Sequence, residues 1–129
     1  MKKLRSGCPI ATSLDIIGDS WTLVIVRDLA TGKARFGEFL KSPEHIPTNV
    51  LTDRLLRLEE FGLIAKSAYQ DNPARFEYGL TKKGAELLPV LQAICRWANV
   101  HMPETWRTPE KFLTLKPSQI IAKELKGGN

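Results

Sequence analysis

Residues 49–84 read NVLTDRLLRLEEFGLIAKSAYQDNPARFEYGLTKKG, and this stretch decides the fold. From about Thr48 to Phe61, Leu51, Leu55 and Leu58 recur at helical spacing, the opposite face is polar, and Gly62 stands where a helix stops. The period then shortens to two. Leu63 to Gln70 reads as one strand, while Phe76, Tyr78 and Leu80 alternate with Arg75, Glu77 and Gly79 as a second. Asp71, Asn72 and Pro73 between them are turn residues. Thr81 is placed to cap a long closing helix with a broad apolar stripe of Leu87, Leu88, Leu91, Ile94, Cys95 and Ala98, which Pro89 should kink.

Working upstream, Pro9 fits the first turn of a helix with Ile10, Leu14 and Ile17 on its apolar face, Cys8 at its N-cap and Gly18 at its end. DSWTLVIVRDLATG, residues 19–32, is almost continuously apolar at its centre, so periodicity alone leaves helix and strand open. Its ends decide for helix, with Asp19 or Ser20 as the cap and Gly32 as the terminating glycine. FGEFLKS gives a short third helix with Phe36, Phe39 and Leu40 inward, and the two prolines of SPEHIP make a connector. Past Met102, prolines at 103, 109 and 117 and mixed charge change the character of the chain. SQIIAKELK there is amphipathic enough for a last helical turn or two, and the GGN ending should fray. Residues 1–102 thus read as one domain and 103–129 as a C-terminal, partly flexible extension.

Four helices, a two-stranded ribbon and a closing helix, in the order ααααββα, give a winged helix-turn-helix: mainly α with a small β-hairpin wing. In that layout the helix from Thr48 enters the major groove of double-stranded DNA, where base edges carry a distinguishable donor and acceptor code. Thr48, Asn49, Thr52 and Asp53 are the candidate base readers, since Asn pairs bidentately with adenine, Asp accepts from cytosine and a Thr methyl contacts thymine. Arg75, just past the ribbon tip, is placed to enter the minor groove or hold a phosphate. Lys33, Arg35, Arg54, Arg57, Lys66, Lys82 and Lys83 are the other phosphate candidates. Against this, the reading helix is slightly acidic, with Asp53, Glu59 and Glu60 facing Arg54 and Arg57. Arg54 has no carboxylate three or four residues away, which leaves a phosphate or an acid elsewhere in the fold as its partner.

The 129-residue chain has a formal net charge of +5, which favours an anionic partner, and its 43% hydrophobic and 26% charged residues exclude a disordered class. No segment approaches the ~20 apolar residues of a membrane span. MKKLRSGCPI lacks the apolar core of a signal peptide, so no membrane partner and a cytoplasmic location are expected. Cys8 and Cys95 are too few for a disulfide framework, and His45 and His101 have no partners at metal-ligand spacing. With no GxSxG, phosphate loop or HExxH, no enzyme, cofactor or metal is expected. Trp21 and Trp97 read as core or dimer packing, Cys95 as inert core, and the leucine and isoleucine stripes as core.

From Cys8 to about Ala98, CPIATSLDIIGDSWTLVIVRDLATGKARFGEFLKSPEHIPTNVLTDRLLRLEEFGLI, then RFEYGLT and KKGAELLPVL, resembles the HxlR-type winged-helix transcription regulators, relatives of the MarR group. The resemblance implies a cytoplasmic prokaryotic homodimer joined through its first and last helices. It also implies a pseudo-palindromic operator with the two reading helices one DNA turn, roughly 34 Å, apart, and most often repression. Several members that resemble this chain sense oxidants or electrophiles through a cysteine at the CP position, which makes Cys8 a candidate redox sensor. Physically, a thiol at a helix N-cap feels the helix dipole, and Lys2, Lys3 and Arg5 are near in sequence; the plainer role for Cys8 is a small buried residue that packs. An effector pocket for a small molecule between the dimer helices is a second means of control. Asp53 and Leu56 stand where relatives often carry more polar or basic residues. The alternative function is a winged-helix protein-protein interaction module whose acidic helix meets a basic partner.

Overall fold

The computed structural model describes residues 4–122, so Lys2, Lys3, the Lys123–Lys126 end of SQIIAKELK and the GGN ending lie outside the described residues. In chain order the elements are α1 (Pro9–Ile17), α2 (Thr22–Ala30), α3 (Phe36–Leu40), α4 (Thr48–Glu60), β1 (Ile64–Asp71), β2 (Ala74–Leu80), α5 (Lys82–Ala85), α6 (Leu88–His101) and α7 (Glu110–Leu113). A 3-10 turn follows at Pro117–Gln119. The two strands pair antiparallel as a wing, so the architecture is a winged helix-turn-helix.

Local chemistry sets the helix ends. Asp19 accepts the N–H groups of Trp21 at 3.0 Å and Thr22 at 3.1 Å, together with the Thr22 hydroxyl, and so starts α2. Glu38 starts α3 by reaching back to the N–H groups of Ala34 at 2.7 Å and Arg35 at 2.8 Å. Beyond the helix ends, Gly32 at φ 109° and Gly62 at φ 76° take the left-handed turns that stop α2 and α4. The core then closes around Ile25, Val26, Phe39, Leu51, Leu55, Leu58, Ile64, Leu80 and Leu88, each no more than 3% exposed. Burying one such side chain contributes about 1.5–3 kcal/mol.

Three expectations need correcting. The long closing helix is two helices. Thr81 caps only α5, accepting the Gly84 N–H at 3.1 Å, and α6 begins again at Leu88 with Pro89 in its first turn. Pro89 has no N–H for the Ala85 carbonyl, whereas a first-turn position needs none. The apolar face of α1 is not inward: no residue of α1 is buried, and Ile10 and Leu14 are 72% and 54% exposed. Likewise only the Leu88–Leu91 end of the α6 stripe reaches the core, while Ile94 is 49% exposed.

The segment after Met102 lies against the core. The Gln92 amide donates to the carbonyls of Phe112 at 3.0 Å and Leu115 at 2.9 Å, and Asn99 holds the Trp106 carbonyl at 2.9 Å. At its far end Ile121 bridges to Leu80, with the Ala122 N–H on the Leu80 carbonyl at 3.1 Å. No single helix among the described residues is long and apolar enough to cross a membrane.

Two glycines separate backbone strain from steric exclusion. A Cβ at Gly62 would meet nothing, whereas one at Gly84 would lie 1.9 Å from the Leu63 carbonyl oxygen. In urea unfolding, Gly62→Ala should cost about 1 kcal/mol, and Gly84→Ala about 3 kcal/mol because backbone must move.

Candidate nucleic-acid interface

Leu51, Leu55 and Leu58 point α4 into the core, and the same rotation leaves Thr48, Asn49, Thr52 and Asp53 exposed over its first two turns. The Thr52 hydroxyl donates to the Thr48 carbonyl at 3.0 Å. Leu56 shares the outer side at 55% exposure, an apolar group among polar neighbours. No polar cap holds the N-terminus of α4; Pro47 precedes it in an extended conformation.

Arg54 is tied within the protein. Its Nε donates to Asp19 at 2.9 Å and its Nη1 to Asp53 at 2.6 Å, and its side chain is 21% exposed. The carboxylates are one residue and thirty-five residues away, so a search three and four residues along the helix misses both. Asp19 thereby joins the start of α2 to the middle of α4. Burial opposes its ionisation, but hydrogen bonds from Arg54, Thr22 and the Trp21 amide together outweigh burial and hold the carboxyl well below its ordinary range.

Lys33 is also turned inward. It donates to the Ser42 hydroxyl, which in turn donates to the buried Asp28 carboxylate at 2.6 Å. Arg27 bonds the same carboxylate at 2.8 Å and clasps Glu44 through two nitrogens at 2.7 and 2.9 Å. Ser42 and Glu44 lie in the turn between α3 and α4, so this cluster fastens the turn to α2.

The wing is held at its base and open at its tip. Tyr78 donates its N–H to the Ala34 carbonyl at 2.7 Å. The register shifts between Ala68 and Gln70, leaving Tyr69 as the extra residue of a bulge. Arg35 stacks 3.7 Å from the centre of the Tyr69 ring and pairs with Glu77 at 3.0 Å. Lys66 lies 4.7 Å from the centre of the Phe76 ring. Arg75 is exposed next to the turn, opposite Gln70, whose side chain closes the tip on the Pro73 carbonyl at 3.1 Å.

The remaining candidates are spread out. Lys82 is exposed, Arg57 is half-buried, and Lys83 donates to the Phe61 carbonyl at 2.7 Å, at the C-terminal end of α4. Cys8 is exposed at the N-cap of α1 with no side-chain capping bond. Arg5 pairs with Asp15 at 2.8 Å and with the Ala11 carbonyl at 3.0 Å, so its charge is already answered. No group of three or more potential metal ligands occurs among the described residues. Reasoning from sequence missed Asp19 as an anchor for Arg54 and missed the Tyr69–Glu77 seat of Arg35. Asp19 was legible as a cap, whereas an alternating strand gives no sign of a bulge.

A family model described as HxlR-like helix-turn-helix matches residues 16–106, and the chain belongs to that family of transcriptional regulators, which are not enzymes. It is similar to the HTH-type transcriptional regulator YdeP of Bacillus subtilis, with 41% identity over 70% of this chain and 71% of that one. Among solved structures, PA1607 is 39% identical with a TM-score of 0.71, over 81% of this chain and 73% of that one. The redox regulator HypR in its oxidized form is 32% identical with a TM-score of 0.66, over 73% of this chain and 97% of that one.

Asp19→Asn removes the charge shared by α2 and α4. It should cost about 1–3 kcal/mol in urea unfolding at neutral pH. Because the folded carboxyl lies below its unfolded value near 4, its contribution is complete above that value and is lost as pH falls through the lower folded value. The gap between wild type and Asp19→Asn should therefore narrow below about pH 4.

Proposed function

We propose that the chain is a sequence-specific DNA-binding repressor acting as a homodimer on a pseudo-palindromic operator in the cytoplasm. The carrying observation is that α4 buries one leucine stripe and leaves Thr48, Asn49, Thr52 and Asp53 exposed beside a wing whose Arg75 is open to solvent. Thr48, Asn49, Thr52 and Asp53 read bases, while Arg75, Lys66, Lys82 and the exposed part of Arg35 meet phosphate or the minor groove. Arg57 lies farther along α4, Lys83 of α5 is bonded to the C-terminal end of α4, and Lys33 and Arg54 are positioning residues. Residues 1–102 form the DNA-binding and dimerising domain, with 103–129 as its extension.

Uncovered apolar positions support the dimer. Ile10 and Leu14 on α1, and Ile94, Trp97 and Val100 on α6, are 49–73% exposed, an arrangement a second copy would bury. Exposed Cys8 at a helix N-cap, together with the likeness to the redox regulator HypR, supports a thiol that lowers operator affinity on oxidation.

In anisotropy titrations of its upstream DNA, two chains should bind per operator, with affinity falling steeply as salt rises. Arg75→Ala should weaken all duplexes and lower the log-log salt slope by about 1. Asn49→Ala should cost about 1–3 kcal/mol at one base position only. Salt-independent binding, or variants indistinguishable from wild type, would overturn this docking and favour a winged helix that contacts protein. Diamide should weaken operator binding by wild type and leave Cys8→Ser unchanged; equal responses would remove the sensor.

A further inference from the structure

Away from α4 and the wing, a concavity of about 590 Å³ lies between α6, the C-terminal end of α2 and the segment 106–115. That size is in the range that holds a small organic ligand. Its floor is apolar: Cys95 from α6, and Phe112 and Leu115 from the segment after Met102. The far wall is built rather than draped, because the Gln92 amide bonds the carbonyls of Phe112 and Leu115 and Asn99 bonds Trp106 and Thr108.

Charge at the rim selects the ligand. Arg27, Arg107 and Lys111 line the opening and no carboxylate does. Arg27 is answered by Asp28 and Glu44, whereas neither Arg107 nor Lys111 takes part in an ion pair among the described residues. Trp106, at 80% exposure, leaves a large ring in water over an apolar floor, a cost that a flat apolar ligand would remove. We infer that this concavity binds a hydrophobic aromatic monocarboxylate, its ring against Trp106, Phe112 and Leu115 and its carboxylate between Arg107 and Lys111. The site goes beyond the proposed DNA-binding function and is tested without DNA.

The experiment is calorimetric titration of the full chain with 2-naphthoate and with 2-naphthamide, which has the same rings and no charge. Naphthoate should saturate at one per chain, and naphthamide should bind roughly fivefold or more weakly, since exposed ion pairs are modest. Replacing Arg107 and Lys111 together by Gln should bring naphthoate down to the affinity of naphthamide and leave naphthamide unchanged. Trp106→Ala, at a position exposed enough to spare folding, should weaken both. Equal affinity for the two probes, indifference to Trp106→Ala, or no binding of either because a second copy fills the concavity would each overturn the inference.

Discussion

Burying Leu51, Leu55 and Leu58 to between 0% and 3% exposure leaves α4 one rotation about its axis, and that rotation decides which residues face outward. A helix of thirteen residues with a single apolar stripe has no second way to satisfy the core. Apolar packing is tolerant of small rolls, however, and polar ties narrow it further. The Asp19 carboxylate holds the first turn of α2 and the Arg54 side chain together, so one group that starts a helix also sets the roll of another.

The same economy appears in the turn between α3 and α4. Asp28 is 4% exposed, and a carboxylate there needs donors from several directions; Arg27 and Ser42 supply them, with Lys33 behind Ser42. Charges that look available in a list of lysines and arginines are thus committed to holding the helix-turn-helix rigid. The outer side of α4 retains Asp53 and little free positive charge. In the proposed docking, attraction for a polyanion would fall to Arg75, Lys66 and Lys82, which carry no sequence information, and base reading to Thr48 and Asn49, which carry no net charge.

Part of the apolar surface that the single chain leaves open is grouped on two helices. On α1 it falls at Ile10 and Leu14, and on α6 at Val90, Ile94 and Trp97, spaced so that they share a helical face. The segment after Met102 covers a different side of α6 through Gln92 and Asn99, and walls a concavity there before joining the edge of β2 at Leu80. The chain thus covers one side of α6 with its own C-terminal segment and leaves another side bare.

The elements written in periodicity and caps were legible without coordinates: α4 from its leucines, the wing from its alternation and turn, and α2 from Asp19 and Gly32. These are local properties, set by spacing and by backbone groups a few residues apart. Tertiary structure decided whatever depends on distant partners. Arg54 turned to Asp19 rather than outward, Tyr69 was pushed into a bulge beneath Arg35, and the closing helix divided because Pro89 is tolerated in a first turn but not in an interior. Whether a cation is free or committed is a fact about what lies across the fold, and linear spacing holds no record of that distance.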